Sequence, residues 1–139
     1  MEISQAILDD LTAKAKASER LRMNLDLRDS VTDDSQRMLN AIEPGSTLPI
    51  HRHQETSETM VCLRGRLQVE YYDDLGICTE SFVIEPGGEN VAVSIPSGMW
   101  HTWQGTGTWH TVHALESGTC ILEMKNGKYE PLTEVDILK

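Results

Sequence analysis

Two histidines stand two residues apart at His51 and His53, a glutamate follows at Glu58, and a third histidine, His101, comes just after Pro96-Ser97-Gly98. Residues two apart on a strand project from one face, so the His51 and His53 imidazoles can meet a single ion from the same side. Gln54-Glu55-Thr56-Ser57 has the length of a short loop, which returns Glu58 on a neighbouring strand with its carboxylate beside the two rings. The rigid turn before His101 places that ring at the start of a strand, directed into the same pocket. Three neutral imidazoles and one carboxylate suit one divalent transition metal (Fe, Mn, Ni, Cu, Co or Zn), and an octahedral arrangement leaves positions open for water or substrate. A His-x-His pair alone is a weak signal. The flanking Gly45, Glu58 and Gly65 strengthen it.

Other residues are weighed around that set. Met60 and Cys62 follow Glu58 at strand period, which puts them on its inward face as the pocket floor. For Cys62 packing outweighs catalysis, because no basic neighbour in sequence favours a thiolate. Trp103 shares a face with His101, and one of the tryptophans Trp100, Trp103 and Trp109 could stack on a sugar or aromatic substrate, with core or rim packing as the default. His110 and His113 are three apart on one predicted strand, so their rings point to opposite faces and cannot both reach one ion. Both read as structural, with His113 the one closer to the pocket. Tyr71, Tyr72 and Tyr129 offer no pattern that selects a general acid.

These side chains need a scaffold, and the periodicity supplies one. Ile3, Ile7, Leu8, Leu11 and Ala15 recur at helical spacing, with Ser4 available as a cap, so one amphipathic helix opens the chain. Met23 to Ser35 fits neither period, and its aspartates indicate a solvated connection with room for one edge strand. From Gln36 onward, short runs rich in Val, Ile, Thr, Tyr and Trp alternate with turns such as Glu43-Pro44-Gly45, Asp73-Asp74-Leu75-Gly76 and Asn126-Gly127. The expected organisation is a helix and connecting segment over 1–35 packed on a β-domain over 36–139, in one structural domain. About eight short antiparallel strands close as a barrel or fold into a jelly roll, and either encloses a pocket.

Composition narrows the setting. A formal charge of −10 disfavours nucleic acid and anionic membranes as partners, because any encounter with them begins in net repulsion. No stretch approaches membrane-spanning length, and the first residues lack a basic start followed by an apolar run, so export by that route is not expected. Three cysteines cannot all pair within one chain and none has metal-ligand spacing, which makes a reducing cytoplasm the simpler setting.

Gly45, five residues, His51-x-His53, four residues, Glu58, six residues and Gly65 resemble the first motif of the cupin superfamily at every fixed position. Its second motif is matched at Pro96, Gly98 and His101, with Asn90 where the first glycine belongs and Gly105 where the asparagine belongs. Upstream, Lys16-Ala17-Ser18-Glu19-Arg20-Leu21-Arg22-Met23-Asn24, Gln36-Arg37 and Asn40-Ala41-Ile42-Glu43-Pro44-Gly45 resemble the WbuC family of cupin-fold metalloproteins. The resemblance implies an all-β cupin fold, a double-stranded β-helix or jelly-roll barrel with an N-terminal helix. It also implies a metal site of His51, His53, Glu58 and His101, association with surface-polysaccharide metabolism, and a homodimer formed through a barrel edge. Within it, Arg20, Arg22 and Asn24 are placed to swing over the pocket mouth and bind a carboxylate or phosphate. A basic helix end satisfying carbonyls accounts for them equally well.

Three functions follow as expectations. The first is a metal-dependent enzyme acting on a small polar metabolite such as a sugar or sugar nucleotide, of dioxygenase, isomerase or epimerase type. The second is a non-catalytic ligand-binding or sensing module, and the third a shell with a structural metal. An open three-histidine, one-glutamate site favours the first.

Overall fold

The structure is a computed structural model, and it describes residues 1–97 and 109–138. The helix α1 spans Gln5–Ala17, with the Ser4 hydroxyl accepting from the Ile7 amide at 3.4 Å. Leu8, Leu11, Thr12 and Ala15 form its buried stripe. The connecting segment contributes an edge strand, β1 (Arg22–Asp26). It is followed by β2 (Ser35–Ile42), β3 (Glu58–Arg64), β4 (Leu67–Tyr72), β5 (Cys78–Ile84), β6 (Ala92–Ile95), β7 (Trp109–Ala114) and β8 (Thr119–Asn126).

The strands build a five-stranded sheet in the order β1-β2-β8-β3-β6 and a three-stranded sheet in the order β5-β4-β7, every pairing antiparallel. Strand alternation gives the larger sheet two unlike faces. Its outer face carries Leu39, Ala41 and Cys120, sealed by Leu8, Leu11 and Ala15 of α1. Each aliphatic side chain of Leu size buried in this way stabilises the fold by about 1.5–3 kcal/mol. Arg64, at the end of β3, reinforces the contact by donating to Asp9 Oδ1 at 2.7 Å, Thr12 Oγ1 at 2.9 Å and the Gly118 carbonyl at 2.9 Å. Between the sheets, Ile42, Met60, Cys62, Leu67, Val69, Ile84 and Ile121 are part of the main core.

The jelly-roll arrangement of two sheets is present, but among the described residues no ladder closes it into a barrel. At the β7 edge of the smaller sheet, an isolated bridge joins His51 to His110 in place of a further strand. Pro49 in this segment has no amide hydrogen to donate to a ladder. The chain near the C-terminus lies along the other side of the same segment. There the Arg52 amide bonds the Asp136 carbonyl at 3.0 Å and the Leu138 amide bonds the Ile50 carbonyl at 2.8 Å. Among the described residues no helix is long and apolar enough to cross a membrane.

Candidate metal centre

His51 is held from both flanks by bridges to His110 and Ile137. The His51 and His110 backbones exchange two hydrogen bonds, of 3.0 Å and 2.8 Å. Residues paired in this way present their side chains to one side, and the two rings lie with centroids 4.3 Å apart. The His51 Nδ1 sits 2.9 Å from the Pro49 carbonyl, which can only accept, so Nδ1 carries the proton and Nε2 keeps its lone pair. Glu58 opens β3 with its side chain buried. Its Oε2 lies 3.1 Å from His53 Nε2 and 3.3 Å from His110 Nε2.

One ligand atom from each of His51, His53, Glu58 and His110 falls within 4.8 Å of the others. Among the described residues, the buried His53 Nε2 and Glu58 Oε2 make no hydrogen bond of acceptable geometry, although each has close neighbours. Buried polar atoms left in that condition are costly, and a cation at their centre would satisfy them together. Burial, reinforced by the facing His110, lowers His51 to about 4, so its ring is neutral near pH 7 and its nitrogen is free to coordinate. Burial pushes Glu58 upward, but the neighbouring His110 and His53 rings and the Lys125 charge outweigh it and hold the carboxyl well below its ordinary value. The donor set of imidazole nitrogens and one ionised carboxylate fits a divalent transition metal.

The cluster stands at a cleft of about 700 Å³ whose sheet floor includes Arg22, Asn24, Asn40, Glu123 and Lys125. That volume lies in the range of small-molecule sites. On the inner face of β8 the alternation Ile121-x-Glu123-x-Lys125 turns from core to charge. Register sets Lys125 opposite Glu58, and Glu123 opposite Met60. Burial, together with the Glu58 charge, raises Glu123 to about 7.

The structure therefore brings His51, His53 and Glu58 together and places Arg22 and Asn24 on the cleft floor. Met60 and Cys62 do share the inward face of Glu58, but both are sealed in the apolar core and neither lines the cleft. Burial drives the Cys62 thiol up to about 11, as suits a packing residue. The expected order of His110 and His113 is reversed. His110 is 1% exposed within the cluster, whereas His113 turns outward with its Nε2 3.4 Å from Glu70 Oε1. The parity of His110 with the core residues Val112 and Ala114 carried that signal. His101 and Trp103 lie outside the described residues.

Two sheets of this order and a helix, with histidines and a glutamate gathered at an inter-sheet cleft, define the class: this is a cupin fold. The solved structures agree. The capsular polysaccharide assembling protein CapF from Staphylococcus aureus superposes with a TM-score of 0.62 at 17% identity, over 82% of this chain and 30% of that one. An oxalate oxidase in complex with glycolate gives 0.61 at 17% identity, over 86% of this chain and 57% of that one. The cupin-2 domain Rru_A2000 from Rhodospirillum rubrum gives 0.54 at 17% identity, over 83% and 68%. The chain thus spans less than a third of CapF and little more than half of the oxalate oxidase. No curated protein matches the sequence. The chain belongs to the family described as a domain of unknown function, DUF6016, which matches residues 3–84 and so takes in His51, His53 and Glu58.

Proposed function

We propose that this protein is a WbuC-like metal-binding cupin that binds and transforms a small polar metabolite, a sugar or sugar nucleotide of surface-polysaccharide metabolism. The observation that carries the reading is the convergence of His51, His53, Glu58 and His110 at a cleft with charged and amide side chains on its floor. His51, His53 and Glu58 form the constant part of the ligand set, His110 supplies the imidazole that faces them, and His101 stands in sequence as a further donor. When bound, a divalent metal supplies a Lewis acid that polarises a ligand oxygen. The chain's own part is to hold four donors in place, fix the His51 tautomer through Pro49, and present unsatisfied polar groups along the floor. A cytoplasmic setting, with Cys62, Cys78 and Cys120 free, and a homodimer formed through an open sheet edge belong to the same reading.

The test is elemental analysis of protein purified without chelator, paired with thermal melts before and after EDTA. About one transition metal per chain, removable without unfolding, supports an accessible working site. No metal under any loading condition sinks the reading and leaves a metal-free binding module. A metal-loaded protein that binds sugar nucleotides without turning them over would instead be a non-catalytic sensor.

A further inference from the structure

The floor of the cleft sets polar and charged side chains among the apolar Met38 and Ile42. On β1, β2 and β8 the inward positions include Arg22, Asn24, Gln36, Asn40, Glu123 and Lys125. Several of these have their bonding capacity spent elsewhere. Arg22 donates to the Thr47 carbonyl at 3.0 Å, and Gln36 donates to the Gly127 carbonyl at 2.9 Å. Lys125, Asn24 and Asn40 differ: among the described residues their side chains make no hydrogen bond, and Lys125 makes no ion pair within 4.0 Å.

Position gives Lys125 its meaning. It lies directly across from Glu58 in the β3–β8 register, so its ammonium emerges on the same face, one strand away from the metal cluster. The charged side chains of the floor are Arg22, Lys125, Glu58 and Glu123. A dication held by Glu58 and the histidines adds positive charge at the floor and engages the carboxylate that faces Lys125 across the strands. Asn40 and Asn24, paired with each other across β1 and β2, continue the floor with donors and acceptors suited to hydroxyl groups.

We propose that the cleft selects a hydroxylated carboxylate of sugar-acid size, its carboxylate on the Lys125 ammonium and a neighbouring oxygen directed at the metal cluster. This rests on the metal-binding reading above and adds the chemical class of the ligand. A neutral sugar of the same shape brings no charged group to an ammonium that makes no close ion pair in this half-enclosed site, which is the physical basis of the selection.

The test compares D-glucuronate with D-glucose, a pair alike except for the carboxylate, by titration calorimetry on the full chain loaded with zinc. Glucuronate is expected to bind more tightly by about tenfold or more, the effect of one hydrogen bond to a charged group. Lys125→Met should bring glucuronate to the level of glucose with zinc content unchanged, and Lys125→Arg should restore most of the difference. Equal affinities, no binding of glucuronate, or a preference that survives Lys125→Met in folded, zinc-loaded protein overturns the inference and leaves the metal site standing. A wild-type chain that takes up no zinc or other divalent metal overturns both readings together.

Discussion

At the scale of single residues, the decisive pair is His110 and His113, alike in type and only three apart. His110 faces Glu58 at 3.3 Å, while His113 meets Glu70 on the other side of the sheet. His110→Ala is therefore expected to lower metal occupancy by about tenfold or more, the usual cost of losing a group that positions or forms a metal site. His113→Ala should leave occupancy at the wild-type level. Atomic absorption on both variants at limiting metal decides it, and equal occupancy in the two would remove His110 from the ligand set. His51, His53 and Glu58 were legible in the sequence because one strand period and one short loop connect them. His110 was not, because its partner His51 is far away in sequence and joins it through a bridge that no local period encodes. The floor residues Glu123 and Lys125 were missed for a related reason: their charge reads as solvent-facing until the register with Glu58 and Met60 is known.

At the scale of elements, the motif glycines show why spacing alone carried so much of the fold. Gly65 turns the chain from β3 into β4 at φ +81°, and a Cβ there would run into the backbone and side chain of Thr119. Gly65→Ala is thus strained in both conformation and packing. A loss of about 1–3 kcal/mol is expected from the backbone alone. Urea denaturation should show a lower midpoint with an unchanged slope, and an unaltered midpoint would mean that the turn relaxes at no cost. The outer face supplies a second prediction. Leu39 is 0% exposed beneath α1, so Leu39→Ala is expected to cost about 2–5 kcal/mol by the same measurement. Helix and strands were legible because each has its own period and punctuation. The open sheet edge seen among the described residues was not, since it depends on a backbone bridge at His51 and on the Asp136–Leu138 segment lying along that loop.

At the scale of the whole molecule, 22 acidic residues against 12 basic ones place the folded chain under self-repulsion. Raising the salt from about 0.01 M to about 0.15 M shortens the screening length from about 30 Å to about 8 Å, which weakens repulsion across the surface more than contacts at bonding distance. The melting temperature at neutral pH should therefore rise by a few degrees with added sodium chloride. A fall would show that exposed ion pairs such as Arg64–Asp9 outweigh the repulsion. Acid acts through different groups. Hydrogen bonds from Arg28 lower Asp26, and the amides of Ser35 and Asp29 lower Asp33. Burial raises Asp136, but bonds from Thr133 and Gln54 outweigh it and bring the carboxyl below its ordinary value. Because all three are lowered in the folded chain, their stabilisation is complete above the ordinary aspartate value of 3.8 and is lost as pH falls through the lower folded values. Between pH 7 and pH 5 the lowered His51 costs stability and the raised Glu123 restores it, so the melting temperature should change little there and then drop steeply below about pH 4. A melting temperature that stays level down to about pH 3 in thermal melts at constant salt would show that these three carboxylates do not hold the fold.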